Sequence, residues 1–171
     1  MWTIYQKNET FQEEYAGYKV FMLFTTPEGN VYTVDKPVRT VVDFPGLDLR
    51  VSGELEERTI AELDALASLI PMPETYDALE RSVVDGLLTD HAAIDAYSLH
   101  EVLNYGTDGL NFMHAAKVLF MNLDTWNSLP PGVQTVFEEA TNGIELSLAG
   151  ARQYAKMAED ARSVMEEAGM E

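Results

Sequence analysis

The 171-residue chain contains no cysteine, which excludes a disulfide framework, thiolate nucleophiles and cysteine-based metal sites. Cations are scarce: 11 Lys and Arg stand against 29 Asp and Glu, a formal net charge of −18. Such a chain has no basic stripe for nucleic acid or for an anionic membrane surface. No apolar run approaches the roughly 18 residues needed to span a bilayer, and no charged segment followed by an apolar one opens the sequence. The 3 histidines, His91, His100 and His114, form no HExxH and pair with no acid at a ligand spacing. Asp85, Asp90 and Asp95 recur every five residues, which suits neither a calcium loop nor one helical face. GxGxxG, Walker and GxSxG motifs are missing too. No metal or cofactor is therefore expected. The chain has no internal repeat and no Gly/Ser linker, so any lobes must be joined by short crossing strands.

What is present centres on residues 43–86. Leu47 to Val51 alternates as a short strand and stops at Ser52-Gly53. Leu55, Thr59, Leu63 and Leu66 are spaced to line one face of a helix. A second apolar segment, Leu69 to Met72, precedes a second helix that opens near Pro73-Glu74. Strand, helix, strand, helix at these lengths predicts a parallel α/β unit. Such units bind ligands beyond the carboxyl ends of their strands. Arg50 stands one residue from such an end, where its planar fork can grip a carboxylate with two hydrogen bonds.

Elsewhere the pattern predicts a helix over Trp2–Ala16, a strand buried on both faces over Lys19–Phe24 and a short strand over Val31–Val34. Leu87 to Ala96 reads as a helix, Val102 to Tyr105 as extended, and Phe112 to Met121 as a long strand. On that strand Phe112, His114 and Ala116 share a face. Asn122 or Asp124 caps a short helix. A long last helix is expected from Pro131 to about Ala168, with Gly143 and Gly150 weakening it locally.

PGLDLRVSG followed by MPETYDALERSVVDG resembles the DctP-type substrate-binding proteins of TRAP transporters. EEYAGYKVF and VDKPVRTVVDF upstream, with EVLNYGTD, VLFMNLDTWNSLPPGVQ and FEEA downstream, extend the likeness over nearly the whole chain. The resemblance implies an α/β, periplasmic-binding-protein-like (type II) two-lobed architecture, incomplete here, with a long C-terminal helix. It implies a fragment that lacks the N-terminal part of lobe 1 and the C-terminal end. Residues 1–40 would form partial lobe 1 and a crossing strand, 41–105 lobe 2, 106–130 the return crossing and a lobe 1 strand, and 131–171 a helix spanning both lobes. The function implied is that of a non-catalytic periplasmic receptor delivering a small organic carboxylate to the membrane subunits of a TRAP transporter. The resemblance places Arg50 on the carboxylate, Met72 in the apolar wall and Thr89 where some members use an asparagine. Phe112 and His114 complete the expected site. Two other readings stay open: an α/β enzyme using Asp85, Asp90 or His91 as acid–base groups, and a truncated fragment that does not bind.

Overall fold

The computed structural model describes all 171 residues. In chain order the elements are α1 (Trp2–Lys7), α2 (Glu9–Glu13), β1 (Tyr18–Thr25), β2 (Asn30–Thr33), β3 (Asp48–Val51) and α3 (Glu54–Ala61). Then follow β4 (Leu66–Leu69), α4 (Thr75–Glu80), β5 (Gly86–Thr89), α5 (His91–Ala96), β6 (Tyr105–Thr107) and β7 (Ala116–Asn122). The chain ends with α6 (Leu123–Ser128), α7 (Pro131–Ala140) and α8 (Gly143–Glu167). It divides into two compact units, one of Met1–Thr26 and Ala115–Tyr154, the other of Pro27–His114 and Ala155–Glu171. Residues 27–40, expected to include a crossing strand after partial lobe 1, fall with the second unit.

The second unit is built on a five-stranded sheet of order β4-β3-β5-β2-β6. β3 runs parallel to β4 and β5, and β2 runs antiparallel to β5 and β6. Ile60 of α3 joins Leu49, Val51, Val31 and Leu88 in a core on one face of the sheet. Leu79 of α4, Ile94 of α5 and Met165 of α8 cover Leu87 and Tyr32 on the other. With helices on both faces, the two sides of β3 are both buried, Leu49 and Val51 on one and Arg50 on the other. Gly86, which opens β5, lies so close to β2 that a Cβ there would strike the Tyr32 carbonyl oxygen.

The first unit holds the antiparallel pair of β1 and β7, with a bulge between Val20 and Met22. Val20, Phe21, Leu23 and Phe24 of β1 are buried. Trp126 of α6 packs edge-on against Phe21 at 5.5 Å, and Lys19 places its ammonium 4.5 Å from the Trp126 ring. Asn122 caps α6 by accepting from the Thr125 N–H at 3.0 Å.

Several sequence expectations are corrected. The N-terminal helix is two helices, because Asn8 turns extended (φ −118°, ψ 110°) and its side chain accepts from Phe11 N–H. The α3 face was mis-phased. Leu55 is 76% exposed and Leu66 lies in β4, whereas Ile60 and Glu56 are the buried residues. Glu56 is tolerated inside because its carboxylate turns back to accept from Ser52 N–H at 2.6 Å and Ser52 Oγ at 2.5 Å. Leu87 and Leu88 belong to a strand, and the helix starts only after Asp90, whose carboxylate caps α5 by accepting from Ala93 N–H at 3.3 Å. The long strand begins at Ala116, leaving Phe112 and His114 outside it. The last helix is two helices: Thr141 leaves helical geometry (φ −117°, ψ 49°) just where Asn142 and Gly143 favour a break. Gly143 and Gly150 serve close packing within the first unit, against Trp2 and Phe24 respectively.

Candidate functional site

The site is assembled at the carboxyl end of the five-stranded sheet. From β3 the chain passes through α3 on one face to β4; from β5 it enters α5 on the other face. β3 and β5 are neighbours, so their outgoing connections diverge to opposite faces and open a crevice between them, the switch point at which open α/β sheets take ligands. Arg50 and Thr89 flank it. Arg50 pairs with Leu87 in register, Thr89 follows two residues later, and Asn30 lies opposite Thr89 on β2. Alternation therefore sets Arg50, Thr89, Asn30 and Tyr32 on one face.

Arg50 is 4% exposed. Its Nε donates to the Ile70 carbonyl at 2.8 Å, which fixes the plane of the fork. No protein acceptor takes the terminal guanidinium nitrogens. Burial lowers its pKa from the ordinary arginine value, while Glu56 and Tyr97 act in the opposite sense; an arginine so placed stays charged. A guanidinium held by one bond and otherwise without an acceptor is suited to a bidentate anion.

On the β2 and β6 side of the same end lies a second polar cluster. His91, buried, sets Nε2 2.8 Å from Asp108 Oδ1. Arg162 of α8 donates to Asp108 Oδ2 at 2.5 Å, and Asn30 Nδ2 donates to Oδ1 at 3.4 Å. Burial lowers the His91 pKa, with Asp108 opposing and Arg162 reinforcing the shift. Tyr32 meets the His91 ring edge-on at 5.9 Å, and burial raises its phenol pKa. Tyr32, His91, Asp108 and Arg162 line a cavity of about 130 Å³.

Of the expected site residues, Arg50, Met72 and Thr89 come together on one face and one end. Met72 sits in a 3-10 turn after β4 and packs against the core on the Arg50 side of the sheet. Phe112 goes elsewhere: it meets Phe44 edge-on at 5.9 Å on the opposite core. His114 is exposed and outside the strand that was to aim it. Asp85 stands before β5, at the other end of that strand from Asp90 and His91, about 13 Å along the strand at its ordinary rise. There it accepts from Asp48 N–H at 2.8 Å, tying the start of β3 to the start of β5. No group of three or more His, Asp or Glu is placed to hold a metal ion, and no helix is long and apolar enough to cross a membrane.

Reading the sequence did not single out Asp108 or Arg162. Asp108 and Arg162 are 54 residues apart and meet only through the fold.

A family model described as bacterial extracellular solute-binding protein, family 7 (DctP), matches residues 4–171. An uncharacterized protein of Haemophilus influenzae is 31% identical over 111 residues, covering 64% of this chain and 34% of that protein. The C4-dicarboxylate-binding periplasmic protein DctP of Rhodobacter capsulatus is 26% identical over 126 residues, 73% of this chain and 35% of its own. Among solved structures, a TRAP periplasmic solute-binding protein of Bordetella bronchiseptica with bound (R)- and (S)-mandelate superposes with a TM-score of 0.88 at 23% identity, covering 99% of this chain and 54% of that one. The chain spans about a third of the curated relatives it matches and about half of the solved structure, whose two-lobed α/β fold it shares over that half.

Proposed function

Since the chain belongs to the bacterial extracellular solute-binding proteins of family 7, we propose that it serves as a periplasmic receptor that binds a small organic carboxylate at Arg50 and delivers it to the membrane subunits of a TRAP-type transporter. The observation that carries this reading is the buried Arg50 guanidinium, fixed by Ile70 and otherwise without an acceptor, at the switch point of the sheet. A ligand carboxylate there completes two charge-assisted hydrogen bonds in a desolvated setting, where opposite charges attract most strongly. Met72 offers an apolar wall on the same face and Thr89 a hydroxyl that donates or accepts. The acids named for the relatives, mandelate in the Bordetella protein and C4-dicarboxylates in the Rhodobacter protein, support a carboxylate as the common element.

The receptor reading is favoured over acid–base catalysis by the distribution of candidate groups. Asp85 lies at the wrong end of β5 to work with Asp90 or His91, and His91 is already engaged by Asp108. Titration of the protein with a panel of organic acids, followed by calorimetry and by its tryptophan and tyrosine fluorescence, tests the proposal. Saturable binding with the acid recovered chemically unchanged is expected. Conversion of the acid, or no saturable binding by any carboxylate, would overturn it.

A further inference from the structure

We infer that Glu56 is a counter-charge built in beside Arg50, which lowers the affinity of the site for carboxylates and so sets how readily a bound acid is released; this rests on Arg50 being the carboxylate anchor. Both side chains are buried at the carboxyl end of β3, Arg50 with 4% and Glu56 with 5% exposure. Arg50 is the third residue of β3, and Ser52 follows the last. The Glu56 carboxylate accepts from Ser52 N–H at 2.6 Å and from Ser52 Oγ at 2.5 Å. It is thus tied to a point two residues beyond Arg50, about 7 Å along an extended chain. The two do not form an ion pair: the guanidinium's protein acceptor is the Ile70 carbonyl, taken by Nε. Burial lowers the Arg50 pKa and the Glu56 charge opposes that shift, so the carboxylate stands within electrostatic reach. Arg58, the cation nearest to Glu56 in sequence, is exposed and paired with Glu54. Asp90, the other buried carboxylate of the second unit, caps α5.

This arrangement balances the charge of Arg50 without occupying its terminal donors. A guanidinium taken out of water is costly unless a counter-charge is close. Glu56 is close enough to favour the cation and too far away to take its hydrogen bonds. A ligand carboxylate on the free edge of the fork gains two charge-assisted bonds. It also meets the field of a fixed like charge, and at low dielectric that repulsion extends well beyond contact. Glu56 cannot easily retreat, because Ser52 holds both of its oxygens and the amino end of α3, where it is the third residue, favours a negative charge. The site therefore grips an acid by hydrogen-bond geometry with the excess positive charge removed, which suits a receptor that must give its ligand up.

Calorimetry at pH 8 with pentanoate, 2-oxopentanoate and glutarate as probes compares the protein with Glu56→Gln and Glu56→Asp. Glutamine keeps the size of the side chain, and its amide can accept from Ser52 N–H while donating to Ser52 Oγ, so the substitution removes the charge. The acids are expected to bind Glu56→Gln at least about threefold more tightly. Glu56→Asp, which keeps the charge, should show no such gain, and neither should pentanamide, a neutral analogue, with Glu56→Gln. A role confined to capping α3 would lower the melting temperature of Glu56→Gln and leave every dissociation constant unmoved. Unchanged or weaker binding by folded Glu56→Gln, or an equal gain in Glu56→Asp, overturns the inference while the receptor function stands. If circular dichroism shows that Glu56→Gln does not fold, Glu56→Met, neutral and of similar volume, replaces it with the same expected gain. If no acid binds the protein or its variants, the inference and the receptor reading fall together.

Discussion

In the unit of the five-stranded sheet, Leu49, Val51, Ile60, Leu87, Ile94 and Leu99 show no exposure, whereas in the unit of β1 and β7 the strand residues Leu119 and Phe120 remain 45% and 47% exposed. The contrast follows from the number of layers. Five strands with helices on both faces close two cores around themselves. Two strands bury one set of side chains on β1 and leave β7 with apolar residues in solvent and each strand with an unpaired edge. What the difference teaches concerns precision. A polar group at the rim of a doubly covered sheet is placed by strands whose register is over-determined, so Arg50 and Thr89 are held in fixed positions at its carboxyl end. The unit with open edges has apolar surface to offer but fewer constraints on where its side chains point.

The sharpest way to break the comparison is to cut into each unit equally. Leu49→Ala removes a fully buried side chain and is expected to cost about 2–5 kcal/mol. Leu119→Ala, cut from a half-exposed position, should cost under about 1 kcal/mol. Urea denaturation followed by circular dichroism compares them, and equal losses would remove the distinction between the units. Glycine-to-alanine changes sharpen the same point on a smaller scale. Gly86→Ala drives a Cβ into the Tyr32 backbone and is expected to cost about 1–3 kcal/mol. Gly143→Ala meets the Trp2 side chain, which can swing aside, and should cost less in the same assay.

The smallest expected effect is on pH dependence. Burial lowers the His91 pKa in the folded protein despite the neighbouring Asp108, and Arg162 adds to the lowering. The unfolded chain therefore binds that proton more readily. The His91 contribution to stability is complete above the unfolded histidine pKa, near 6.5, and is lost as pH falls below it. Melting temperatures measured between pH 7 and 5 should fall less steeply in His91→Asn, whose amide can still donate to Asp108. An unchanged slope would mean that His91 is not the group responsible.

How much of this was legible in the sequence depends on the range of the interaction. The order β3–α3–β4–α4 could be read because strand alternation, Ser52-Gly53 and the Pro71–Pro73 break are local signals, although the second strand is Leu66–Leu69 and not the expected Leu69–Met72. Its carboxyl end then pointed to Arg50 before any coordinates. Leu87 and Leu88 were misread because two leucines before a helix cap carry no period of their own; only pairing with β2 and β3 makes them a strand. The burial of Glu56 has no local signal, because Ser52, its partner, is recognisable only once the helix start is in place. Phe112 and His114 were put on one strand face by alternation, yet Phe112 is drawn to Phe44, nearly seventy residues earlier, by a contact no local pattern encodes. The Asp108–Arg162 pair was invisible for the same reason.

The central claim, that Arg50 holds the ligand carboxylate, is tested most directly by calorimetric titration of the protein and its Arg50→Ala variant with the tightest-binding acid from the panel. Circular dichroism serves to establish that both are folded. Leaving a bound carboxylate without its partner in a desolvated crevice should weaken binding at least about thirtyfold, with Arg50→Lys recovering only part of the loss because an ammonium cannot supply the fork. A dissociation constant unchanged by Arg50→Ala in a folded protein would contradict the account.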